Sequence, residues 1–190
     1  DDERNHSLRG IAEVPGQPVA EEIKGEIAFE NVSFAIDGKQ ILEDISFTVP
    51  QGKTLGIMGA TGSGKSTIVN LMERFYDPTE GTVLLDGTDV KTMTFAQVRG
   101  SSAVVMQDVF LFSDTIEENI KMGKRASMDI EDMKNAAAFA QAKDFIEDMD
   151  ASYETVIGER GVGLSGGQKQ RISIARAIAK KCPILVMDDS

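Results

Sequence analysis

A chain of 190 residues that is 41% hydrophobic and 27% charged has enough apolar surface for one sizeable core, which excludes a wholly disordered class. Its formal net charge of -11 excludes a general affinity for nucleic acid or anionic lipid, because the far field repels phosphate, so any nucleotide must be held by local groups. The one cysteine, Cys182, cannot form an intrachain disulfide, no apolar run approaches the roughly 18 residues of a membrane helix, and residues 1–20 lack the layout of a signal peptide.

Residues 1–24 are polar, open on an acidic cluster and carry Gly10, Pro15, Gly16 and Pro18, the composition of a poorly ordered linker, so the fold is expected to begin near Gly25. Segments 26–33 and 45–49 read as strands separated by a turn at Asp37-Gly38, and 53–58 reads as a buried strand. Residues 68–75 are helix-like. Segments 82–85 and 88–90 suggest a hairpin through the Asp86-Gly87 turn, and 103–106 is a short apolar strand ending at Gln107.

Beyond Gln107 the pattern turns helical. Helices are expected at 115–121 and at 129–142, where Ile130, Met133, Ala137 and Ala140 share one face and Asp129, Glu131 and Asp132 suit the first turn. A third, at 168–181, is apolar almost all round and ends on Lys180 and Lys181, which suits a mostly buried helix with a basic C-terminus. Cys182 beside Pro183 reads as a small buried residue, and the many methionines as core filler. Last comes the apolar strand 184–187, closing on Asp188 and Asp189.

Three stretches carry chemistry. Gly59, Ala60, Thr61, Gly62, Ser63, Gly64, Lys65, Ser66 and Thr67 spell G-x-x-x-x-G-K-[ST] between a predicted strand and a predicted helix. The glycines let successive backbone N–H groups turn toward phosphate oxygens, Lys65 supplies a cation for the β- and γ-phosphates, and Ser66 can place a hydroxyl on Mg²⁺ at the positive end of the helix. Asp188, at the end of a buried strand, is placed to hold Mg²⁺, with Asp189 next to it able to polarise an attacking water. In Leu164-Ser165-Gly166-Gly167-Gln168, Ser165 is a natural N-cap and the glycines expose N–H groups at a helix start, a segment built to meet an anion.

Taken in order, GATGSGKST, Gln107 after a strand, LSGGQKQR and ILVMDD resemble the nucleotide-binding domain of an ATP-binding cassette transporter, from about Gly25 to Ser190. The segment TVIGERG before the signature and QDVFLFSDTIEENI after Gln107 are similar to the exporter type. SLRGIAEV, at 7–14, resembles the stretch that joins an exporter's last membrane helix to its ATPase domain. The resemblance implies an α/β P-loop NTPase with an N-terminal antiparallel β subdomain and a helical subdomain at about 108–167, truncated after the Walker B strand, with residues 1–24 a linker from a missing transmembrane domain.

It also implies roles. ATP and Mg²⁺ are the cofactors: residues 59–67 bind the triphosphate, Gln107 reaches Mg²⁺ and the attacking water, and Asp188 supports Mg²⁺. Ser165, Gly166, Gly167 and Gln168 act on ATP held by a second nucleotide-binding domain, so that two domains sandwich two nucleotides head to tail. Glu159 and Arg160 lie near contacts with the transmembrane domain, at the cytoplasmic face of the membrane; no nucleic acid is involved.

Three departures from the family's pattern stand out. Ile36 occupies the position where an aromatic ring usually stacks on adenine. Asp189 replaces the catalytic glutamate, pulling its carboxylate back by about 1.5 Å, one C–C bond; a misplacement of about 1 Å can cost on the order of a hundredfold in rate. The sequence is expected to end before the segment that would hold the family's switch histidine, and its only histidine, His6, lies in the linker. With Asp189 in place, a heterodimer with a second, glutamate-bearing half is favoured over a homodimer. Two rival readings remain: a half that holds ATP and hydrolyses little, and a non-transport ATP switch of the same superfamily, whose usual coiled-coil insertions or tandem cassettes do not fit in 190 residues.

Overall fold

The computed structural model describes residues 22–122, 128–158 and 161–188. Most of the expected linker, with His6, and the residues Glu159, Arg160, Asp189 and Ser190 lie outside the described residues. The chain divides into two compact units at the Ser102–Ala103 bond.

The first unit is built on a four-stranded antiparallel sheet of order β2-β1-β3-β4, from β1 (Ile27–Ile36), β2 (Lys39–Val49), β3 (Glu80–Leu85) and β4 (Thr88–Asp89). Both hairpin turns fall where Asp-Gly predicts them, with φ of 49° and 76° at Asp37 and Gly38 and 48° and 76° at Asp86 and Gly87, the doubly left-handed geometry that matches strand twist. The strands of the first hairpin run longer than expected. Val90 leaves the ladder for a short 3-10 turn, with Asp89 accepting from the Lys91 N–H.

In β1 the inward positions switch parity, from Ile27 and Phe29 to Val32 and Phe34, because a bulge at Asn31 (φ 49°) inserts one residue between them. The Asn31 N–H donates to Ser46 Oγ at 2.9 Å, and its side chain donates to Asp44 at 2.9 Å. Gly81, at φ 78°, lies so close to the bulge that a Cβ there would stand 2.2 Å from the Asn31 carbonyl oxygen. Leu71, Val90, Met93 and Val98 of the same unit are also buried, the first on helix α1 (Lys65–Met72), the last on α2 (Phe95–Gly100). At the other end of the sheet the Asp86 carboxylate accepts from three consecutive N–H groups, those of Lys24, Gly25 and Glu26, at 2.5, 3.0 and 2.8 Å.

The segment 53–58 corrects the sequence reading. It forms no strand and is exposed throughout, with Met58 almost fully so. An apolar run becomes a strand only when a neighbour completes its ladder, and none of the described residues pairs with it.

The second unit packs α3 (Ile116–Lys121), α4 (Ile130–Phe139), α5 (Lys143–Glu147) and α6 (Gly166–Ala179) around Leu111, Ile116, Ile120, Met133, Ala137, Ile146, Ile157 and Ile172, with β5 (Ser102–Val105) and β6 (Ile184–Met187) paired beside them. Thr115 is the N-cap of α3, its hydroxyl accepting from the Glu118 N–H. The helix expected at 129–142 stops at Phe139, because Gln141 turns left-handed (φ 56°) and a separate short helix follows. Met133, Ala137 and Ala140 are buried as expected, with Ala136 joining them; Ile130, in the exposed first turn, is 52% accessible.

Three smaller expectations are also corrected. In β6, Ile184 is buried but Leu185 and Met187 face outward, since among the described residues only β5 flanks that strand. Cys182 is half-buried against Ala103, Val105 and Ala177. The methionines divide: Met93 and Met133 fill cores, whereas Met58, Met106 and Met187 are exposed.

Candidate functional site

The glycine loop turns tightly before α1. Ser63 N–H bonds the Ala60 carbonyl at 3.1 Å, and Gly62 and Gly64 adopt φ of 80° and 90°, which only glycine takes without strain. Space is restricted as well: a Cβ on Gly59 would meet Ser63 Oγ at 2.5 Å, and one on Gly64 would meet Leu42 Cδ2 at 2.8 Å and the Ile41 carbonyl at 3.2 Å. Gly64 is the N-cap of α1 and offers no side chain to its first N–H groups, leaving these donors and the positive end of an eight-residue helix for an anion.

Lys65 folds back across this loop. Its ammonium donates to the Gly59 and Ala60 carbonyls at 2.8 and 3.1 Å, so two of three N–H bonds are taken by neutral acceptors and the third remains for a phosphate oxygen. The charge is fixed in place over the loop. Ser66 and Thr67 follow in the first turn of α1. Ile36 is the last residue of β1, opposite Lys39 across the Asp37-Gly38 turn, and is exposed; no ring stands at that position.

In the second unit the two strand ends converge. Asp188 N–H donates to the Val105 carbonyl at 2.9 Å, so β5 and β6 finish side by side, with Asp188 at one end and Gln107, exposed, two residues past Val105 at the other. Asp189 is not among the described residues.

Ser165 caps α6 reciprocally with Gln168: the Gln168 N–H donates to Ser165 Oγ at 3.2 Å and the Ser165 N–H donates to Gln168 Oε1 at 2.9 Å. The sequence reading saw the N-cap but missed the return bond, although S-x-x-Q is its signature. Gly166 and Gly167 have nothing within 4 Å of where a Cβ would lie, so the backbone at the head of this 14-residue helix is open to close approach.

Whether Mg²⁺ suits these residues can be judged from the donors. Among the described residues no cluster of three His, Cys, Asp or Glu side chains is arranged to hold a metal, which rules out an all-protein cage there. A hydroxyl, a side-chain amide and one carboxylate, supplemented by phosphate, are the hard oxygen donors that Mg²⁺ takes, so Ser66, Gln107 and Asp188 fit it in type.

The α/β fold and the glycine loop at the head of α1 define a P-loop nucleotide-binding domain. Comparison with known proteins narrows this. The family model for ABC transporters matches residues 42–190. Among curated relatives, the chain is 50% identical over 177 residues to the ATP-dependent lipid A-core flippase of Sodalis glossinidius (strain morsitans), covering 92% of this chain and 30% of the flippase. It is 45% identical over 177 residues to the flippase of the same name from Escherichia coli (strain K12), again covering 92% and 30%. A solved structure of a bacterial Atm1-family ABC exporter with ATP bound superposes with a TM-score of 0.88 at 41% identity, over 94% of this chain and 31% of that one. The chain belongs to the ABC transporter family, as an ATPase domain of exporter type, and spans about 30% of the length of its curated relatives. Among the described residues no helix is long and apolar enough to cross a membrane.

Proposed function

We propose that this chain binds Mg-ATP in the loop from Gly59 to Thr67 and, paired head to tail with a second nucleotide-binding domain through Ser165, Gly166, Gly167 and Gln168, powers export of a substrate by a transmembrane domain from the cytoplasmic face of the membrane. The observation that carries it is Lys65, already held over a glycine loop that has no room for side chains at Gly59 and Gly64. Loop N–H groups and the third N–H of Lys65 take the phosphates. Ser66, Gln107 and Asp188 would hold Mg²⁺ brought in with the nucleotide, and the ion would supply neutralisation of phosphate charge. Gln107 orients the attacking water, and Asp189 is the base available to it. Because closure and reopening of the paired domains accompany each turnover, hydrolysis is converted into alternating access.

Titration calorimetry of the chain with Mg-ATP tests the binding step. Lys65→Ala is expected to weaken ATP by about tenfold or more, the worth of a lost charged hydrogen bond, and GTP is expected to bind about as well as ATP because Ile36 offers adenine no ring. Undiminished binding by the Lys65→Ala chain would overturn this reading.

Asp189, one methylene short, favours a second form of the same proposal, in which this half holds ATP as a slow ligand while a glutamate-bearing partner turns over. In such a heterodimer, Ser165→Ala in the full transporter nearly abolishes ATPase activity and Asp189→Glu raises it by at most about twofold, since one site already works. A many-fold gain from Asp189→Glu in a transporter that purifies as one species would mark a homodimer.

A further inference from the structure

Arg176 lies three turns into α6, half-buried, with its pKa lowered by burial. A charge in that position ordinarily sits against a carboxylate. Among the described residues, its hydrogen-bond partners are neutral oxygens: Nε donates to the Asn119 carbonyl at 2.8 Å, Nη1 to the Phe110 carbonyl at 2.9 Å, and Nη2 to Asn119 Oδ1 at 2.9 Å. Asn119, fully buried, extends the set. Its Oδ1 accepts from the Phe112 N–H at 2.9 Å, and its Nδ2 donates to the Phe112 and Thr115 carbonyls, both at 3.0 Å.

The side chains of Phe110 and Phe112 remain exposed and meet edge to face at 4.8 Å, with the guanidinium 5.9 Å from the Phe112 ring. Between them Leu111 is fully buried in the core and anchors the loop by packing, while the two rings add little burial. The backbone on either side of Leu111 is held in addition by one arginine and one asparagine. That loop begins three residues after Gln107, and the helix that fixes it is headed by Ser165, eleven residues and about 16 Å before Arg176 at 1.5 Å per residue.

We propose that Arg176 is a positioning residue: through Asn119 and the Phe110 carbonyl it ties the stretch carrying Gln107 to the helix headed by Ser165, so that the two move as one piece. Its five N–H donors in a planar fork reach three oxygens on two segments at once; a lysine ammonium in the same place reaches fewer and fixes no plane. The kinetic part of this inference rests on reading the chain as an ATPase that uses Gln107; the structural part does not.

The structural part is tested by hydrogen exchange on the 190-residue chain without nucleotide. In Arg176→Lys, the Phe112 and Asn119 amides are expected to exchange about tenfold faster while the interior amides of α6 keep their rates. Should that variant fail to fold, Asn119→Asp serves: it still accepts from Arg176 but has no N–H for the Phe112 and Thr115 carbonyls, and the same local rise is expected. Unchanged exchange at Phe112 in the folded variant would overturn the tie.

The kinetic part is tested in the full transporter. Arg176→Lys is expected to lower kcat about tenfold, with the ATP dissociation constant and binding stoichiometry unchanged, and to have no further effect in a Gln107→Ala background, because it acts through that residue. Independent, multiplying effects of the two changes would overturn positioning and leave Arg176 a fold residue. Failure of Lys65→Ala to weaken ATP binding would strike the ATPase reading alone, leaving the exchange result to stand.

Discussion

Lys65 and Arg176 show two uses of a cation whose hydrogen-bond partners, among the described residues, are neutral oxygens. Lys65 rests on two carbonyls with one N–H left over, which suits a group waiting for an anion; Arg176 commits every nitrogen to neutral oxygens, which suits a group that holds backbone in place. Neither arrangement was legible in sequence beyond the lysine's place in its motif, because the acceptors are main-chain atoms whose positions only folding decides. The Tyr153 side chain is buried, and its hydroxyl has no hydrogen-bond partner among the described residues. Burial, and secondarily the Glu147 carboxylate, raise its pKa above the ordinary 10.0. A tyrosine whose folded pKa exceeds its unfolded one contributes stability that is full below the unfolded value and is lost as pH rises through the folded value. Tyr153→Phe should therefore be neutral to stabilising by about 1 kcal/mol near neutral pH and should flatten the alkaline loss above pH 10, as urea melts at pH 7.5 and 10.5 would show. Marked destabilisation by Tyr153→Phe would mean that the hydroxyl has a partner.

At the level of elements, what could be read from sequence was local. Asp-Gly turns and the N-cap at Ser165 each lie within a few residues, and the structure shows them in place. The segment 53–58 failed because strand state is a property of a pair. The break at Gln141 failed because an apolar period does not reveal where the backbone turns left-handed. The bulge at Asn31 was equally hidden, since 26–33 read as a plain strand, yet it decides which side chains of β1 face the core. Gly81 is its counterpart on β3. Gly81→Ala adds a positive-φ penalty to a clash with backbone that cannot swing aside, so a loss of about 3 kcal/mol or more is expected, read as a lower denaturation midpoint by circular dichroism. A loss below about 1 kcal/mol would show that the bulge can relax.

For the molecule as a whole, the net charge of -11 keeps copies apart, while Leu55, Ile57, Met58, Leu185 and Met187 offer apolar surface that invites contact. Which of these wins is a question of salt: screening removes the repulsion and leaves the apolar attraction. The first of the described residues are held by hydrogen bonds as much as by packing. Asp86 gathers the N–H groups of Lys24, Gly25 and Glu26, and the middle one belongs to the peptide bond that trypsin would cut after Lys24. A protease must draw that bond into an extended groove, which requires all three hydrogen bonds to open first. Digestion of the native chain should leave the Lys24–Gly25 bond largely whole, and Asp86→Ala should speed its cleavage by at least about tenfold, followed by mass spectrometry of the fragments. Equal cutting in both would deny the clamp; unequal cutting would make one carboxylate the guard of a peptide bond 62 residues away in sequence.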